Sequence, residues 1–291
     1  MEPNNDKIEF DKNEIVITIK IGRNDVGKCI YFLDNTNKKY KEKNGLISHF
    51  HDNLKEITEN NTRLFINDKE ETYKKFFKPR SDGIYEIKLS FNFKMTTCAY
   101  MFTNCKNIIE VDFSKFNTQN VTDMQRMFCD CTNLTTINVF SFDTRKVNNM
   151  AEMFCRCNNL KNIDLSSFNT QNVLDMRLLF FMCKNLIKVD ISSFNTENTI
   201  NMDRMFGGCK SLIRIDVSLF DTKNASNIEG IFWNCKNLTT LNLSNFVFLD
   251  GVKTEDMVKG CDSLKQIKIN RKFYESIKNS SDGKSLLFAE I

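Results

Sequence analysis

The sequence predicts an α/β solenoid, a right-handed coil with a parallel sheet on one face and short helices on the other, preceded by a small, mostly β N-terminal capping module. Cysteine recurs every 26 residues without an insertion, at Cys105, Cys131, Cys157, Cys183, Cys209, Cys235 and Cys261. Each period also carries a strand-like pattern followed by an apolar stripe of helical spacing. A fixed period of this size indicates repeats in which each unit packs on its neighbours.

The composition indicates a folded chain with free thiols. Of its 291 residues, 41% are hydrophobic and 11% are aromatic, which is enough apolar surface for a buried interior. The net charge of +4 comes from 41 basic and 37 acidic residues, a balance too even to indicate nucleic acid as the partner. The 11 cysteines are an odd number, which fits a closed disulfide framework poorly.

The first residues favour a cytoplasmic protein. Residues 1–7 are polar and no signal-peptide-like apolar run follows them. No stretch approaches the roughly 20 apolar residues of a membrane span, so we expect no membrane insertion. Free thiols also fit a reducing compartment. Placement at the cell surface by an unconventional route is the alternative.

Residues 1–83 carry no copy of the repeat and predict the capping module. Residues 15–21 and 30–33 are β-branched or apolar runs typical of strands. Residues 62–66 and 72–77 flank a polar turn and predict a hairpin. The repeat region then covers residues 84–270, and a C-terminal cap and tail cover 271–291, with a short closing helix over 271–278.

Each repeat begins with a short strand pattern. Leu160, Ile163 and Leu165 illustrate an L-x-x-I-x-L segment whose apolar residues alternate with polar ones. Adjacent repeats would stack these segments into a parallel sheet at about 4.8 Å spacing. Ile87 lies 26 residues before Phe113, so the segment at 85–89 is expected to be the first strand of that stack.

The second half of each repeat changes period. Met124, Phe128 and Cys131 stand at i, i+4 and i+7, which predicts a short helix. Asp123 precedes the stripe, where it could accept from free N–H groups as an N-cap. Two phenylalanine columns and one threonine column accompany the stripe, typified by Phe154, Phe168 and Thr170. We expect the aromatic columns to form the spine of the core.

These residues resemble a known family. The stretch from Met153 to Val173 reads Met-Phe-x-x-Cys-x-x-Leu-x-x-Ile-Asp-Leu-Ser-x-Phe-Asn-Thr-x-Asn-Val, which is similar to the BspA-like leucine-rich repeats of bacterial and protist surface proteins. The resemblance covers about residues 98–270. It implies a leucine-rich-repeat-like coil, a role in protein interaction or adhesion, and no catalytic residues.

Two motifs indicate possible ligand chemistry. Gly22-x-x-x-x-Gly27-Lys28 has the spacing of a phosphate-binding loop, but Cys29 stands where a Ser or Thr would hold Mg²⁺. A strand pattern follows instead of a helix, so a hairpin turn is favoured and no cofactor is expected.

The paired thiols Cys129/Cys131 and Cys155/Cys157 could together hold zinc, although C-x-C is shorter than the usual chelating spacing. Small buried cysteines without metal are favoured. His49 and His51 lie in a polar stretch and indicate solvated loop residues.

The outward strand positions are the main candidate site. One column is acidic or amide-bearing at Asp112, Asn138, Asp164, Asp190 and Asp216. Like charges about 5 Å apart repel by about 0.8 kcal/mol in water and about 3 kcal/mol at an effective dielectric of about 20. Lys188 and Arg214 lie two residues before Asp190 and Asp216 and could neutralise the column. Phe140 stands where other repeats have serine, as an aromatic anchor would.

The function predicted first is a non-enzymatic protein–protein interaction module that uses this face to bind a protein partner bearing basic groups. The alternative interpretation of the same residues is a solvated face whose acidic and basic side chains neutralise one another. A structural or adhesive surface protein is the alternative function, and a nucleotide-binding enzyme in the N-terminal module is a third. The capped ends argue against open filaments, so a monomer is expected.

Overall fold

The computed structural model describes residues 10–34, 54–274, 277 and 287–289. Its strands are β1 (Glu14–Ile21), β2 (Ile30–Tyr31), β3 (Thr62–Ile66), β4 (Lys69–Glu71), β5 (Phe76–Phe77), β6 (Gly83–Phe91), β7 (Ile108–Asp112), β8 (Thr136–Asn138), β9 (Asn162–Asp164), β10 (Lys188–Asp190), β11 (Thr240–Leu243), β12 (Gln266–Ile269) and β13 (Leu287–Ala289). Three short 3-10 helices cover Phe10–Lys12, Arg23–Asp25 and Arg271–Phe273.

The N-terminal strands join one six-stranded sheet in the order β4-β3-β6-β1-β7-β8. The β-branched run predicted at 15–21 is β1, whose alternate isoleucines are at most 2% exposed. The predicted hairpin turn lies at Asn67 and Asp68, which both have positive φ and suit a tight two-residue turn. The return strand is β4, and the segment predicted at 72–77 contains β5, which pairs with β2 instead.

β1 lies between β6 and the first repeat strand β7, and it is antiparallel to both. The expectation that residues 85–89 stack directly on the next repeat strand is therefore wrong. Ile17 pairs with Ile87 on one side and with Val111 on the other. β7 pairs with β8 along one edge, and β1 covers its other edge with backbone hydrogen-bonding groups, so the first repeat strand has no open edge.

The predicted α/β solenoid with short helices on one face is wrong. Between residues 84 and 270 the structure has strands, bridges and turns, and no α-helix. In the stripe from Met124 to Cys131, backbone N–H groups alternate between two kinds of acceptor. Met127 N–H donates to the Met124 carbonyl at 3.2 Å, whereas Phe128 N–H donates to the Met153 carbonyl of the next repeat at 2.8 Å. A helix would instead close every bond within its own segment.

The continuous parallel sheet is also absent from the described chain. β9 and β10 form a two-stranded parallel sheet, and β11, β12 and β13 form a separate three-stranded one. β8, β9 and β10 each span only three residues. Short segments leave few ladder bonds to join neighbouring strands, so the sheet is divided into separate pieces.

Successive repeats are joined elsewhere by single parallel bridges, from Thr97 to Lys253, and by side chains in register. Rings of the first phenylalanine column stack at centroid separations of 5.2 to 5.7 Å, from Phe102 through Phe128, Phe154, Phe180 and Phe206 to Phe232. The second column includes Phe168, and its members from Phe116 to Phe246 are at most 3% exposed. Both columns lie in the core, which confirms that part of the sequence prediction.

The cysteine column is bonded within the core. Cys131 Sγ donates to the Phe102 carbonyl at 3.0 Å, and Cys183 Sγ donates to the Phe154 carbonyl at 2.9 Å. The same bond recurs 29 residues back from Cys157, Cys209, Cys235 and Cys261. Burial raises the pKa of the Cys183 thiol to about 12, so it keeps its proton and remains a donor at neutral pH.

The strand predicted at residues 267–269 is β12, but it is not the last strand of the chain, because β13 pairs with it in parallel. Asn270 caps the following turn by accepting from the Lys272 N–H at 3.2 Å. Phe273 packs edge-on against Phe248 at 4.9 Å. Only the first turn of the helix predicted over 271–278 is described as an element, and it is a 3-10 helix. In the part of the chain that the structure covers, no helix has the length and apolarity to cross a membrane.

Candidate functional site

The predicted acidic column forms a series of local turns. Asp164 Oδ1 accepts the N–H of Ser166 at 2.9 Å, and Asp216 Oδ1 accepts the N–H of Ser218 at 2.9 Å. The same bond is made by Asp112, Asn138, Asp190 and Asn242 to the residue two positions on. An aspartate or asparagine that bonds the backbone two residues later turns the chain and ends the strand.

The column remains charged and largely exposed despite this local role. The Ser166 hydroxyl and then its N–H lower the pKa of Asp164, and Ser218 does the same for Asp216. Asp112, Asp164 and Asp216 are exposed, and Asp190 is half-buried. Sequence reasoning missed the turn role, although an Asp or Asn two residues before a serine is the signal that indicates it.

Basic residues lie beside the acidic column. Lys188 and Arg214 are exposed, and neither makes an ion pair with any described residue. The positive charge of Lys188 contributes to the lowered pKa of Asp164, after the Ser166 bonds. Lys188 is aligned with Asn162 of the preceding repeat, so its ammonium lies near the acidic column without closing on it.

Large apolar side chains are exposed on or next to this face. Phe140 is 75% exposed, and Ile187 and Ile213 are 46% and 47% exposed. Ile187 and Ile213 occupy the same position in adjacent repeats, where Thr135, Lys161, Thr239 and Lys265 stand in others. Sequence reasoning identified Phe140 and missed the two isoleucines, because Ile109 stands at the same position and isoleucine beside a strand ordinarily predicts burial. We name the predicted residues plus Ile187 and Ile213 the strand face.

The glycine-lysine loop does not form a phosphate cradle. The N–H groups of Asp25 and Lys28 donate to the carbonyls of Gly22 and Asp25, and Gly27 N–H donates to the Pro79 carbonyl. β2 follows, as the sequence predicted, and not a helix. A phosphate site needs free N–H groups at a helix N-terminus, and these three are already used.

The four thiols considered for zinc are divided between two sides of the chain. Cys131 and Cys157 face the core, where they bond phenylalanine carbonyls. Cys129 and Cys155 lie on the other side, next to Glu152, with ligand atoms all within 4.8 Å of one another. A hydrogen bond with Cys129, and then burial, raise the pKa of the Cys155 thiol.

Sequence reasoning missed Glu152 and Arg126 as members of this thiol cluster. Glu152 stands three residues before Cys155, and Arg126 stands three before Cys129, so the repeat period itself was the available signal. Arg126 Nη2 lies 3.7 Å from Cys129 Sγ. His49 and His51, the other candidate residues, lie outside the described residues.

The fold and the face define a protein of short repeats held together by backbone bonds between their turns and by side-chain columns. Its sequence matches a family model twice, over residues 89–185 and 157–271, which together cover more than half of the chain. The chain therefore belongs to the family described as Mycoplasma protein of unknown function, DUF285. The family description does not name BspA, so the resemblance to BspA-like repeats is supported only as membership of this repeat family.

Two further comparisons add little. No curated protein matches the chain. Among solved structures, the chain is similar to a leucine-rich repeat protein from Bacteroides ovatus, with 15% identity and a TM-score of 0.24. That alignment covers 69% of this chain and 65% of the other chain.

Proposed function

We propose that this chain is a non-enzymatic protein-binding repeat protein and that the strand face contacts the partner. The observation that supports the proposal is the 75% exposure of Phe140 beside the acidic column, together with the exposure of Ile187 and Ile213 next to the strand positions of their repeats. Large apolar side chains cost free energy in water, and clusters of them mark interaction surfaces. Aromatic anchors supply much of the binding energy in such surfaces.

Charge on the same face favours a particular kind of partner. Asp164, Asp190 and Asp216 each give one carboxylate oxygen to the N–H of their own turn, which leaves the other oxygen for a partner, whereas Asp112 gives both oxygens to Ser114. Basic groups opposite this column would relieve its self-repulsion, which contributes to both steering and specificity. Lys188 and Arg214 would pair with acidic groups of the partner, and Asn138 would hydrogen-bond a polar group.

The test uses substitutions that the repeats themselves already contain. Changing Asp164, Asp190 and Asp216 to Asn removes three charges but keeps the turn, because Asn138 and Asn242 make the same bond in this chain. Phe140→Ser introduces the residue found at this position in neighbouring repeats. The control variant changes Leu174 to Asn and Ile200 to Ser. Both residues are exposed and lie outside the strands, and the new residues are those at the equivalent positions Asn148 and Ser226 of adjacent repeats.

Each protein would be cross-linked in extracts of the source cells and the captured partners compared. We expect wild type and the control variant to capture the same partner, and the Asp→Asn/Phe140→Ser variant to lose it with an unchanged unfolding curve. Capture by all three proteins would reject the strand face. An empty result with all three would favour the structural or adhesive role, which protease accessibility on intact cells would test.

A further inference from the structure

The thiol cluster, Cys129, Glu152 and Cys155 with Arg126, has the composition of a metal site. The two sulfur atoms and a carboxylate oxygen of Glu152 all lie within 4.8 Å of one another. Cys129 and Cys155 are the same position in adjacent repeats, and a tight turn brings Glu152 beside Cys155, whose N–H donates to the Glu152 carbonyl at 3.0 Å. Two repeats therefore supply one set of ligands.

These two thiols differ from the cysteine column of the core. Every column thiol from Cys131 to Cys261 donates to a buried phenylalanine carbonyl at 2.9 to 3.2 Å. Cys129 Sγ instead hydrogen-bonds the Cys155 thiol, and it has longer contacts of 3.6 Å to Asp130 Oδ2 and 3.7 Å to Arg126 Nη2. Cys129 and Cys155 are nevertheless buried, at 1% and 4% exposure. Their burial is not explained by a strong hydrogen bond of the column type.

Arg126 and Glu152 form an ion pair beside the two thiols and have hydrogen-bonding atoms that no described residue fills. Arg126 Nε lies 3.1 Å from Glu152 Oε2, yet its N–H is not directed at that oxygen and this buried nitrogen has no hydrogen-bond partner. The Glu152 side chain is 19% exposed, and its carboxylate accepts no hydrogen bond from the described residues. The Glu152 carboxylate is therefore paired with the guanidinium by charge and keeps lone pairs free for a cation beside the two thiols.

We propose that Cys129 Sγ, Cys155 Sγ and the Glu152 carboxylate bind one zinc ion, with water in the fourth position. Zinc takes thiolates at about 2.3 Å and carboxylate oxygens at about 2.1 Å in a tetrahedron, which puts ligand atoms about 3.6 to 3.8 Å apart. The observed limit of 4.8 Å therefore leaves at most about 1.2 Å of adjustment. Two thiolates select a soft cation, and calcium or magnesium would require more oxygen ligands.

The proton and charge balance of the site is simple. Binding releases the two thiol protons to solvent and forms two Zn–S bonds, with no change of oxidation state. Two thiolates and one carboxylate carry three negative charges, which Zn²⁺ and the Arg126 guanidinium neutralise. The Tyr100 ring, 5.6 Å from the guanidinium carbon, holds Arg126 beside the ligands by a cation–π contact. The ion would then link two adjacent repeats.

The test titrates the reduced, chelator-treated full chain with Co²⁺ as a spectroscopic probe and then displaces it with Zn²⁺. We expect one Co²⁺ per chain, a sulfur-to-cobalt charge-transfer band, and a rise in the unfolding temperature with Zn²⁺. Cys129→Ser/Cys155→Ser should lose the band, and Glu152→Gln should weaken affinity by about tenfold or more. Cys29→Ser, which removes the exposed cysteine, is the matched control and should bind as wild type does.

Three results would overturn the proposal. The first is an unchanged cobalt band in the double serine variant, and the second is loss of the band in Cys29→Ser alone. The third is failure of the reduced wild type, with all of its thiols counted as free, to bind either metal. If the double variant fails to fold, the affinity of Glu152→Gln decides, because an unchanged affinity excludes the carboxylate.

Discussion

At the level of single residues, the threonine column makes backbone hydrogen bonds between repeats that strand pairing would otherwise make. Thr170 Oγ1 donates to the Asn195 carbonyl at 2.9 Å and accepts the Asn195 N–H at 2.8 Å. Thr118, Thr144, Thr196 and Thr222 make the same pair of bonds to the next repeat. One buried hydroxyl thus satisfies a backbone donor and a backbone acceptor where no strand pairing is present.

Thr170→Val tests this role. Valine has the same shape but no hydroxyl, so the Asn195 N–H and carbonyl lose their partner, and we expect the free energy of unfolding to fall by about 1–3 kcal/mol. Chemical denaturation would measure the change. Thr170→Ser keeps the hydroxyl and should lose less; an equal loss in both variants would show that the methyl group, and not the bonds, matters.

Phe154→Ala tests the aromatic column. Phe154 is fully buried and stacks between Phe128 and Phe180, each with a centroid separation of 5.5 Å. Removing a core phenylalanine leaves a cavity, and we expect a loss of about 3–5 kcal/mol in chemical denaturation. Phe140→Ala is the control, because Phe140 is 75% exposed and should change stability little. A loss well under about 1 kcal/mol for Phe154→Ala would contradict the core assignment.

The sequence predicts residue columns well and residue contacts poorly. The 26-residue period alone places Phe154 and Phe168 in the core, because residues one period apart occupy equivalent positions in every repeat. It does not show that the hydroxyl of Thr170 reaches the next repeat, or that the carboxylate of Asp164 bonds its own turn. Those bonds depend on backbone direction at single residues, which a hydrophobic period does not encode.

At the scale of the element, the apolar stripe shows why the helix prediction failed. Spacing i, i+4, i+7 places side chains on one side of a helix, and it does the same in a ribbon of tight turns. In this ribbon every fourth residue is left-handed, for example Arg126 and Asp130 with φ of 55° and 61°. A left-handed residue interrupts an α-helix, and the freed N–H groups bond the next repeat instead.

One column held a signal for these turns. The second left-handed position of the ribbon is occupied by Asn104, Asp130, Arg156, Met182, Gly208, Asn234 and Gly260, all with positive φ. Asparagine, aspartate and glycine are the residues that adopt this conformation most readily, and they fill most of the column. Their recurrence, and not the apolar spacing, distinguishes the turn ribbon from a helix.

Gly208→Ala tests the ribbon. Gly208 has a φ of +75°, and an added Cβ would lie 2.5 Å from Met182 Sδ, so strain and a steric clash combine. We expect a loss of about 2–4 kcal/mol in chemical denaturation. Gly251→Ala is the control, because Gly251 has a φ of +84° with no atom within 4 Å and bears only the backbone strain. Equal losses would show that the Met182 side chain moves aside and that only the backbone strain remains.

At the scale of the whole molecule, β1 ties the N-terminal strands to the repeats. Besides its two strand pairings, Asn13 Oδ1 accepts the Asn117 N–H at 3.0 Å, and Glu14 pairs with Lys115 at 3.0 Å. The sequence predicted β1 as a strand but not its neighbours, because its partners lie 62 to 96 residues away. Pairing between such distant segments leaves no local pattern to read.

Function at this scale depends on the surface, since the family description assigns none. The sequence alone identified Phe140 and the charged columns of the strand face. It could not identify Ile187 and Ile213 as exposed, because isoleucine in a strand pattern ordinarily predicts burial. Their exposure required the position of each repeat relative to the next.

The strand face is tested most directly by a photo-cross-linking amino acid placed at single positions and activated in living source cells. We expect a probe at Phe140 or Ile213 to form an adduct with one partner protein, and a probe at Leu249, which is also exposed at 55%, to form none. Adducts from Leu249 but not from Phe140 or Ile213 would contradict the account and place the interaction surface elsewhere.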